Sequence, residues 1–326
     1  MNRTTPRGWL AALALAAVTV ASAAAQPASD LPASPVRILV PFAAGGPTDV
    51  VARILADLLS VRWGGKSVVV ENRPGAGTIV ATAAIAKAPP DGATIGVATN
   101  SFLINPAISL KLPYDTRNDF VSITMIATQP VALVANAGFP ASTLAELIAA
   151  ARTSAAPLNY TSPGPRGVGH LAGEMLQQRA GIKMQHINYN GSAPALTDVI
   201  AGRVPLMFDI WHSARRYVET GQLKLIASAG DPLPGAETAP TIAQSFPGFN
   251  VIAFNAMIGP AGIPAPVLAR LSADIGAVVD SPEFAERTRS LGIDARSNTP
   301  PELDAWFARE IDKWAEIARA ANLKAE

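Results

Sequence analysis

The chain alternates short apolar runs with segments in which apolar residues recur every three or four positions. Runs of the first kind are typical of buried strands, and they predict strands at residues 38–40, 67–71, 94–98, 121–127, 131–135, 158–161, 184–187, 206–208, 223–228, 249–258 and 293–296. Helical spacing predicts helices at residues 51–59, 79–85, 144–148, 170–181, 195–202, 266–279, 282–291 and 303–317. This alternation predicts an α/β fold.

The alternation breaks at two places. Residues 105–120 contain Pro106 and Pro113 and read as irregular, and two predicted strands then follow with little helix between them. A second break lies at the extended segment 249–258. Two crossings predict two lobes, lobe one formed by residues 34–130 plus 251–326 and lobe two by residues 131–250. A cleft between such lobes can close on a small molecule by hinge motion.

The strongest candidate for a binding site is the loop that follows the first strand. Gly45 and Gly46 carry no Cβ to keep a ligand from the backbone, and Pro47 suits the first position of the next helix. Free N–H groups at the positive end of a helix favour a carboxylate or a phosphate. A tight turn that binds nothing is the alternative. The residues predicted to contact a ligand here are Phe42, Ala43, Ala44, Gly45, Gly46 and Thr48.

Other candidates follow later strands, because ligands of open α/β sheets bind at the carboxyl ends of the strands. They are Asn100, Ser101, Gly164, Arg166, His170, Tyr189 and Asp209. Asp209 could orient a water molecule or pair with the amino group of an amino acid. Arg166 could hold a second carboxylate with two hydrogen bonds, or could simply face solvent.

The amino terminus predicts export. Arg3 and Arg7 precede a short apolar run, and three alanines at positions 23–25 form a cleavage site. We therefore predict a signal peptide at residues 1–25, followed by a flexible leader at residues 26–35. Removal of the signal peptide leaves 24 basic and 25 acidic residues, with no run of charge. Nucleic acid and anionic membranes are therefore not expected as partners.

The motifs of catalysis and metal binding are missing. The chain has no cysteine and three histidines without zinc-ligand spacing, so we expect no metal site and no cofactor. Ser101, His170 and Asp209 are the residue types of a catalytic triad, but the sequence does not place the three together. We predict that the protein is not an enzyme, and a hydrolase or isomerase on a similar two-lobe frame is the less favoured alternative.

Several ordered motifs resemble those of the Bug family, the TctC-type periplasmic solute-binding receptors of tripartite tricarboxylate transporters. The motifs are Pro-Phe-Ala-Ala-Gly-Gly-Pro-Thr-Asp at residues 41–49, Val-Glu-Asn-Arg-Pro-Gly-Ala-Gly at 70–77, His-Leu-Ala-Gly-Glu at 170–174, Ala-Pro-Ala-Leu-Thr-Asp at 193–198 and Leu-Met-Phe-Asp at 206–209. The similarity extends over essentially the whole chain after the signal peptide.

The resemblance implies a two-lobe periplasmic binding protein fold of type II-like organisation, each lobe a sheet flanked by helices. It also implies a monomeric periplasmic receptor for a small carboxylate: a dicarboxylate, a tricarboxylate, an amino acid or an aromatic acid. The partners would be membrane transporter subunits, or a sensor kinase ectodomain if the protein presents its ligand to a two-component system. This chain departs from the family pattern at Tyr189-Asn190-Gly191 and at Ile210-Trp211-His212. Trp211 could stack on a flat ligand or pack between the lobes.

Overall fold

The computed structural model describes residues 31–32, 35–108, 111–164, 167–189, 191–289, 292–321 and 323. The predicted signal peptide at residues 1–25 and most of the predicted leader at 26–35 lie outside the described residues, and so does Arg166. Within the described ranges, no helix has both the length and the apolar character needed to cross a membrane.

Strands and helices alternate along most of the chain. The strands are β1 (Val36–Val40), β2 (Val68–Asn72), β3 (Thr94–Ala98), β4 (Phe120–Asn136), β5 (Leu158–Thr161), β6 (Met184–Ile187), β7 (Leu206–Ile210), β8 (Leu223–Ser228), β9 (Ile252–Pro260) and β10 (Asp294–Ala295). The helices are α1 (Pro47–Arg62), α2 (Ile79–Ala86), α3 (Asn100–Ile108), α4 (Leu144–Thr153), α5 (Val168–Ala180), α6 (Ser192–Ile200), α7 (Trp211–Glu219), α8 (Ile242–Ser245), α9 (Ala265–Val279), α10 (Pro282–Thr288) and α11 (Pro300–Ala320). The predicted α/β class is confirmed.

The described strands form one sheet in the order β2-β1-β3-β9-β4-β7-β5-β6, and β8 and β10 also pair with β4. β1 is parallel to β2 and β3, and β5 is parallel to β6 and β7. The loops that follow β1 and β3 therefore emerge at one edge of the sheet, as do those that follow β5 and β7. These two groups of loops supply the candidate site.

One long strand connects the two groups. We expected separate strands at residues 121–127 and 131–135, but β4 runs without a break for 17 residues. Pro130 within it pairs with Ile252, and the extended backbone that proline favours allows the strand to continue. Residues 120–130 of β4 pair with β9, whereas residues 131–136 pair with β7 and β8. The assignment of residues 131–250 to a separate lobe stays a prediction.

The amphipathic helices pack as their spacing predicts. Val51, Ile54, Leu55 and Leu59 of α1 are buried against the sheet. The last helix, α11, buries its apolar stripe in another cluster, formed by Leu303, Phe307, Ile311, Trp314 and Ile317. Phe307 and Trp314 of α11 are thus core residues.

Three helices were not predicted, and one of them, α8, is a single turn of four residues. α3 continues through Pro106 to Ile108, inside the segment that we expected to be irregular. Phe102 packs its ring against Phe120 and Phe307, with ring centroids 5.1 and 5.5 Å apart, and this packing outweighs the hydrogen bond that the proline removes. α7 has no broad apolar stripe, since only Trp211 and Ala214 are buried. Because α7 is short and mostly polar, its apolar residues do not show the spacing that predicts a helix.

Candidate functional site

The loop between β1 and α1 is held closed by the first turn of the helix. Gly45 has φ +86°, which favours glycine, and its N–H donates to Asp49 Oδ2 at 2.8 Å. The Asn72 amide donates to Asp49 Oδ1 at 2.8 Å and to the Phe42 carbonyl at 3.0 Å. The Gly45 N–H is therefore used within the protein, where we had expected it to be free for a ligand.

Asp49 is 2% exposed and stays ionised because of its donors. Burial alone would raise its pKa. Hydrogen bonds from Arg53, from the Gly45 N–H and from Asn72 outweigh this effect and hold the pKa of Asp49 below its usual value. The Arg53 guanidinium lies 3.0 Å from Oδ2 and offsets the negative charge. Asp49 thus stabilises the loop and has its own counter-charge.

A cavity of about 160 Å³ opens beside this loop. It is lined by Phe42, Thr48, Thr99, Asn100, Ser101, Gln129, Val168, Ile210, Ala253, Phe254 and Asn255. None of these described lining residues carries a charge. We call this space the first compartment.

Four helices begin at the first compartment. Thr48 lies in the first turn of α1, Asn100 and Ser101 open α3, Val168 opens α5, and Ile210 directly precedes α7. The first N–H groups of a helix have no partner within the helix and lie at its positive end. These helix starts favour negative charge near the first compartment, whose described lining has no charged side chain.

Of the six loop residues predicted to contact a ligand, two line the first compartment and four do not. Phe42, which is 40% exposed, and Thr48 line the first compartment. Ala43, Ala44 and Gly45 are exposed and are not among its lining residues. Gly46 precedes α1 with φ −76° and ψ 165°, a conformation open to any residue.

Asn100 and Thr48 connect the wall of the first compartment to β9. The Asn100 amide donates to the Ile252 carbonyl at 2.9 Å and accepts from the Phe254 N–H at 3.3 Å. The Thr48 hydroxyl donates to Asn255 Oδ1 at 3.3 Å. Asn100 therefore positions the backbone of β9, in addition to lining the cavity.

A second compartment of about 150 Å³ adjoins the first. Val168 and Ile210 line both, and the other lining residues are Val131, Pro163, Gly164, Gly167, Gly169, Phe208 and Asp209. Of the predicted residues, Gly164 and Asp209 lie here. A Cβ on Gly169 would come within 2.6 Å of the Phe208 carbonyl oxygen. Glycine at position 169 thus allows α5 to approach the end of β7.

Asp209 is the charged side chain among the described residues that line the second compartment. It is 1% exposed, and Oδ1 accepts from the Ser192 hydroxyl at 3.0 Å and from the Ile210 N–H at 2.8 Å. Oδ2 is buried and has no hydrogen-bond partner. Burial raises the pKa of Asp209 to about 7, although its two donors act in the opposite direction. Ser192 is the first residue of α6.

His170 lies in the first turn of α5, but its ring stacks on His186 and lines neither compartment. The ring centroids are 3.9 Å apart and the planes differ by 11°. The Nε2 atom of His170 lies 3.6 Å from Glu174 Oε1. The His170 ring faces His186 and Glu174. Ser101, His170 and Asp209 therefore do not form a catalytic triad.

Ser162, His186 and Asn188 form a hydrogen-bonded chain that the sequence did not reveal. Ser162 Oγ lies 2.8 Å from His186 Nε2, and Asn188 Oδ1 lies 2.9 Å from Nδ1. Ser162 is fully buried, and its Oγ also lies 3.0 Å from the Gly164 carbonyl oxygen. Burial and the neighbouring His170 lower the pKa of His186 to about 4. A buried hydroxyl beside so weak a base holds the loop before α5 and offers no activated nucleophile.

Tyr189 and Trp211 are used within the protein. The Tyr189 hydroxyl donates to Asp198, which also pairs with Arg203. The Trp211 indole donates to the Pro234 carbonyl at 2.9 Å, and its ring is 4% exposed within an apolar cluster. Trp211 thus packs within an apolar cluster and does not line either compartment.

Several lining residues were missed. Gln129 is 6% exposed in the middle of β4, and Asn255 is 3% exposed in β9. A polar amide within an otherwise apolar strand was the available signal for both. Val168 and Ile210 carried no signal, because apolar residues at the start of a helix are common in any core.

Comparison with known proteins identifies relatives along the whole chain. Residues 51–323 match the family described as "Tripartite tricarboxylate transporter family receptor". The chain is 34% identical over 322 residues to the "UPF0065 protein in tcbD-tcbE intergenic region" of Pseudomonas sp. (strain P51), covering 98% of this chain and 95% of that protein.

Solved structures agree with this assignment. "R. palustris Rpa4515 with adipate" is 29% identical, with a TM-score of 0.77 over 89% of this chain and 98% of that one. "Structure of periplasmic binding protein BugD" is 31% identical, with a TM-score of 0.73 over 89% and 98%. The structural neighbours are periplasmic binding proteins with two lobes, which confirms the predicted fold class. The chain belongs to the Bug family, the TctC-type receptors of tripartite tricarboxylate transporters.

Proposed function

We propose that this protein is an exported receptor that captures a small carboxylic acid at the two adjoining compartments and delivers it to a membrane transporter of the tripartite tricarboxylate type. One observation carries the proposal. The first turns of α1, α3, α5 and α7 meet at the first compartment, whose described lining has no charged side chain.

This arrangement favours an anion held by neutral donors. Each helix amino terminus carries roughly half a positive charge, and its N–H groups point out of the helix end. The hydroxyls of Thr48 and Ser101 add donors at the same wall. A carboxylate can be bound by such groups, directly or through ordered water, without an arginine or a lysine. The adipate bound to the similar R. palustris protein is a ligand of this class.

The proposed contacts follow the lining. Phe42, Thr48, Asn100 and Ser101 would surround the carboxylate in the first compartment, and Gly164 and Asp209 would face the rest of the ligand in the second. Backbone groups of Ala43, Ala44 and Gly46 would contribute only if the loop moves on binding. His170 and Tyr189 would support the loops without touching the ligand. A clamp by Arg166 stays a prediction, because Arg166 lies outside the described residues.

The proposal includes export by cleavage after residue 25 and release of the ligand unchanged. The family consists of receptors, and the histidines of the described chain are engaged in the stacked pair or lie outside both compartments. Among the described residues that line the compartments, no nucleophile is thus paired with a base. Capture without conversion is the behaviour that these contacts support.

A thermal-shift screen of residues 26–326 tests the proposal. The panel contains mono-, di- and tricarboxylates, amino acids and aromatic acids, each with the matched primary amide or alcohol as control. A ligand of the folded state at about 100 times its Kd stabilises the protein by about 2.7 kcal/mol, which is a clear rise in Tm. We expect at least one acid, and not its uncharged analogue, to raise the Tm and to be recovered unchanged. A panel in which no acid shifts the Tm, or in which the acid is converted, would overturn the proposal.

A further inference from the structure

Three side chains of β4 and β9 form one wall of the first compartment. Gln129 pairs directly with Ala253, and Asn255 lies two residues further along β9, so the three share one face of the sheet. All three line the first compartment. Their neighbours on the strands point the other way: Phe254 packs its ring against α11, and Thr128 lines a separate cavity of about 410 Å³.

Gln129 is a nearly buried side chain whose amide is unused. It is 6% exposed, and its side-chain amide makes no hydrogen bond to any other described residue. Its polar atoms are not among the sealed, unpartnered atoms of the described chain, so they are open to the compartment. Asn100 differs, because its amide bonds to the backbone of β9. A buried amide without a partner is costly, and a ligand group that bonds to Gln129 removes this cost.

The orientation of the Asn255 amide is set by Thr48. The Thr48 hydroxyl donates to Asn255 Oδ1 at 3.3 Å. Asn255 is 3% exposed, and its Nδ2 has no partner among the described residues. Asn255 therefore presents a donor to the first compartment, and Gln129 can present an acceptor. Diagonal neighbours on paired strands lie about 7–8 Å apart, so one small group above Ala253 can reach both amides.

The chemistry of the two amides indicates which group this is. An ammonium group donates only, and its positive charge is disfavoured beside the starts of four helices. A ketone or a carboxylate accepts only, and would leave the Gln129 oxygen without a partner. A hydroxyl group donates one hydrogen bond and accepts others, and it carries no charge. A hydroxyl group therefore matches the acceptor of Gln129 and the donor of Asn255 at the same time.

We propose that Gln129 and Asn255 are specificity-determining residues that bind a hydroxyl group of the ligand, so that the receptor prefers hydroxycarboxylic acids. The hydroxyl donates to Gln129 Oε1 and accepts from Asn255 Nδ2, while the carboxylate of the same ligand lies at the helix starts. This inference rests on the proposed function and narrows its substrate class. The competing arrangement has both amides donating to the carboxylate itself, and it gives no preference for a hydroxyl.

Matched acids that differ only in the hydroxyl group test the inference. Isothermal titration of residues 26–326 would compare lactate with propanoate, malate with succinate, citrate with propane-1,2,3-tricarboxylate, and mandelate with phenylacetate. Pyruvate and oxaloacetate replace the hydroxyl by a ketone. We expect the hydroxy acid of at least one pair to bind at least about tenfold more tightly than its deoxy and keto analogues, because these leave a buried polar group unpaired.

Two variants on β4 separate recognition from a structural role. Gln129→Met keeps the length of the side chain and removes the amide, so it should reduce the preference for the hydroxy acid to less than about twofold. Thr128→Val is the matched control, because it removes a polar group from the next residue, on the opposite face, and should keep the preference. Far-UV circular dichroism and the Tm would show that both variants fold. The ligand pairs decide the question in the wild type if Gln129→Met does not fold.

The outcomes distinguish this inference from the proposed function. Deoxy or keto acids that bind as tightly as the hydroxy acid in every pair, or an unchanged preference in Gln129→Met, would overturn the hydroxyl site and leave the carboxylate receptor standing. A preference lost equally in Thr128→Val would also overturn it, since the effect would then not be specific to the amide. No binding of any acid would overturn the proposed function itself.

Discussion

Gly46 and Gly169 stand at the starts of two helices at the candidate site, and the space around them differs. A Cβ on Gly46 would meet only the Ala43 carbonyl oxygen, at 3.7 Å. A Cβ on Gly169 would press on the Phe208 carbonyl oxygen at 2.6 Å and on Ser162 Cβ at 2.9 Å. The first position can therefore accept a side chain without changing the fold, whereas the second cannot.

Two substitutions test this difference. Gly169→Ala should lower the free energy of unfolding by about 1–3 kcal/mol, because α5 must move away from β7. It should also weaken ligand binding, since Gly169 lines the second compartment. Gly46→Val should leave the free energy of unfolding nearly unchanged. It should still weaken binding, because the valine side chain would stand in the loop that borders the first compartment.

Urea unfolding and titration with the best ligand of the screen would measure both effects. A Gly169→Ala protein as stable as the wild type would contradict the close approach of α5 to β7. Undiminished binding by Gly46→Val would remove the start of α1 from the site.

At the scale of elements, the stacked imidazoles couple the start of α5 to β6. His186 on β6 bonds to Ser162, the residue after β5, and its ring lies on His170 of α5. Burial and then the proximity of His170 disfavour the charged form of His186, and the Asn188 hydrogen bond only partly opposes them. Protonation of His186 should therefore loosen the loop whose Pro163 and Gly164 line the second compartment.

The expected consequence is a loss of stability in mild acid. The pKa of His186 falls from 6.5 to about 4 on folding, so the unfolded chain takes up a proton between those values and the folded protein does not. Stability contributed by the neutral ring is present above pH 6.5 and is lost as the pH falls toward 4, by roughly 2–4 kcal/mol in total.

His186→Gln provides the control for this prediction, since it keeps a polar group near Ser162 and removes the titrating ring. The difference in unfolding free energy between wild type and variant, measured by urea from pH 8 to pH 4.5, should change across this window. Parallel profiles would show that His186 titrates normally. Comparing the two proteins cancels the shared effect of carboxylates such as Asp49, whose lowered pKa also costs stability in acid.

At the scale of the whole molecule, the chain passes between the two groups of loops that form the site at two places. These are β4 and the segment before β9. β4 changes its partners from β9 to β7 and β8 between Pro130 and Val131. The Val251 N–H donates to the Ala229 carbonyl at 2.8 Å just before β9 begins. Rotation of the two sides about these segments would be a hinge motion.

We expect ligand binding to draw the two sides together. Small-angle X-ray scattering of residues 26–326 should show a smaller radius of gyration when the best ligand is saturating. Gly46→Val at the same ligand concentration should show a smaller decrease, because it is expected to bind the ligand more weakly. An unchanged radius in the wild type at saturation would contradict closure and indicate a site formed in advance.

The sequence by itself determined the alternation of strands and helices, the loop at residues 41–49 and the family. These depend on spacing within a few residues and on ordered motifs, both of which are local. Phe42, Thr48, Asn100 and Ser101 could be predicted as lining residues, because they follow strands that are easily recognised.

Only the tertiary structure decided how these local pieces combine. The order of strands in the sheet brings the starts of α1, α3, α5 and α7 to one cavity, although they are distant in sequence. Tertiary packing also stacks the His170 ring on His186 and brings the Ser192 hydroxyl to Asp209. The Asp49 carboxylate likewise accepts a hydrogen bond from Gly45 in the loop before α1. Hydrogen bonds and burial of this kind depend on partners that the strand order selects, and no local pattern of residues encodes them.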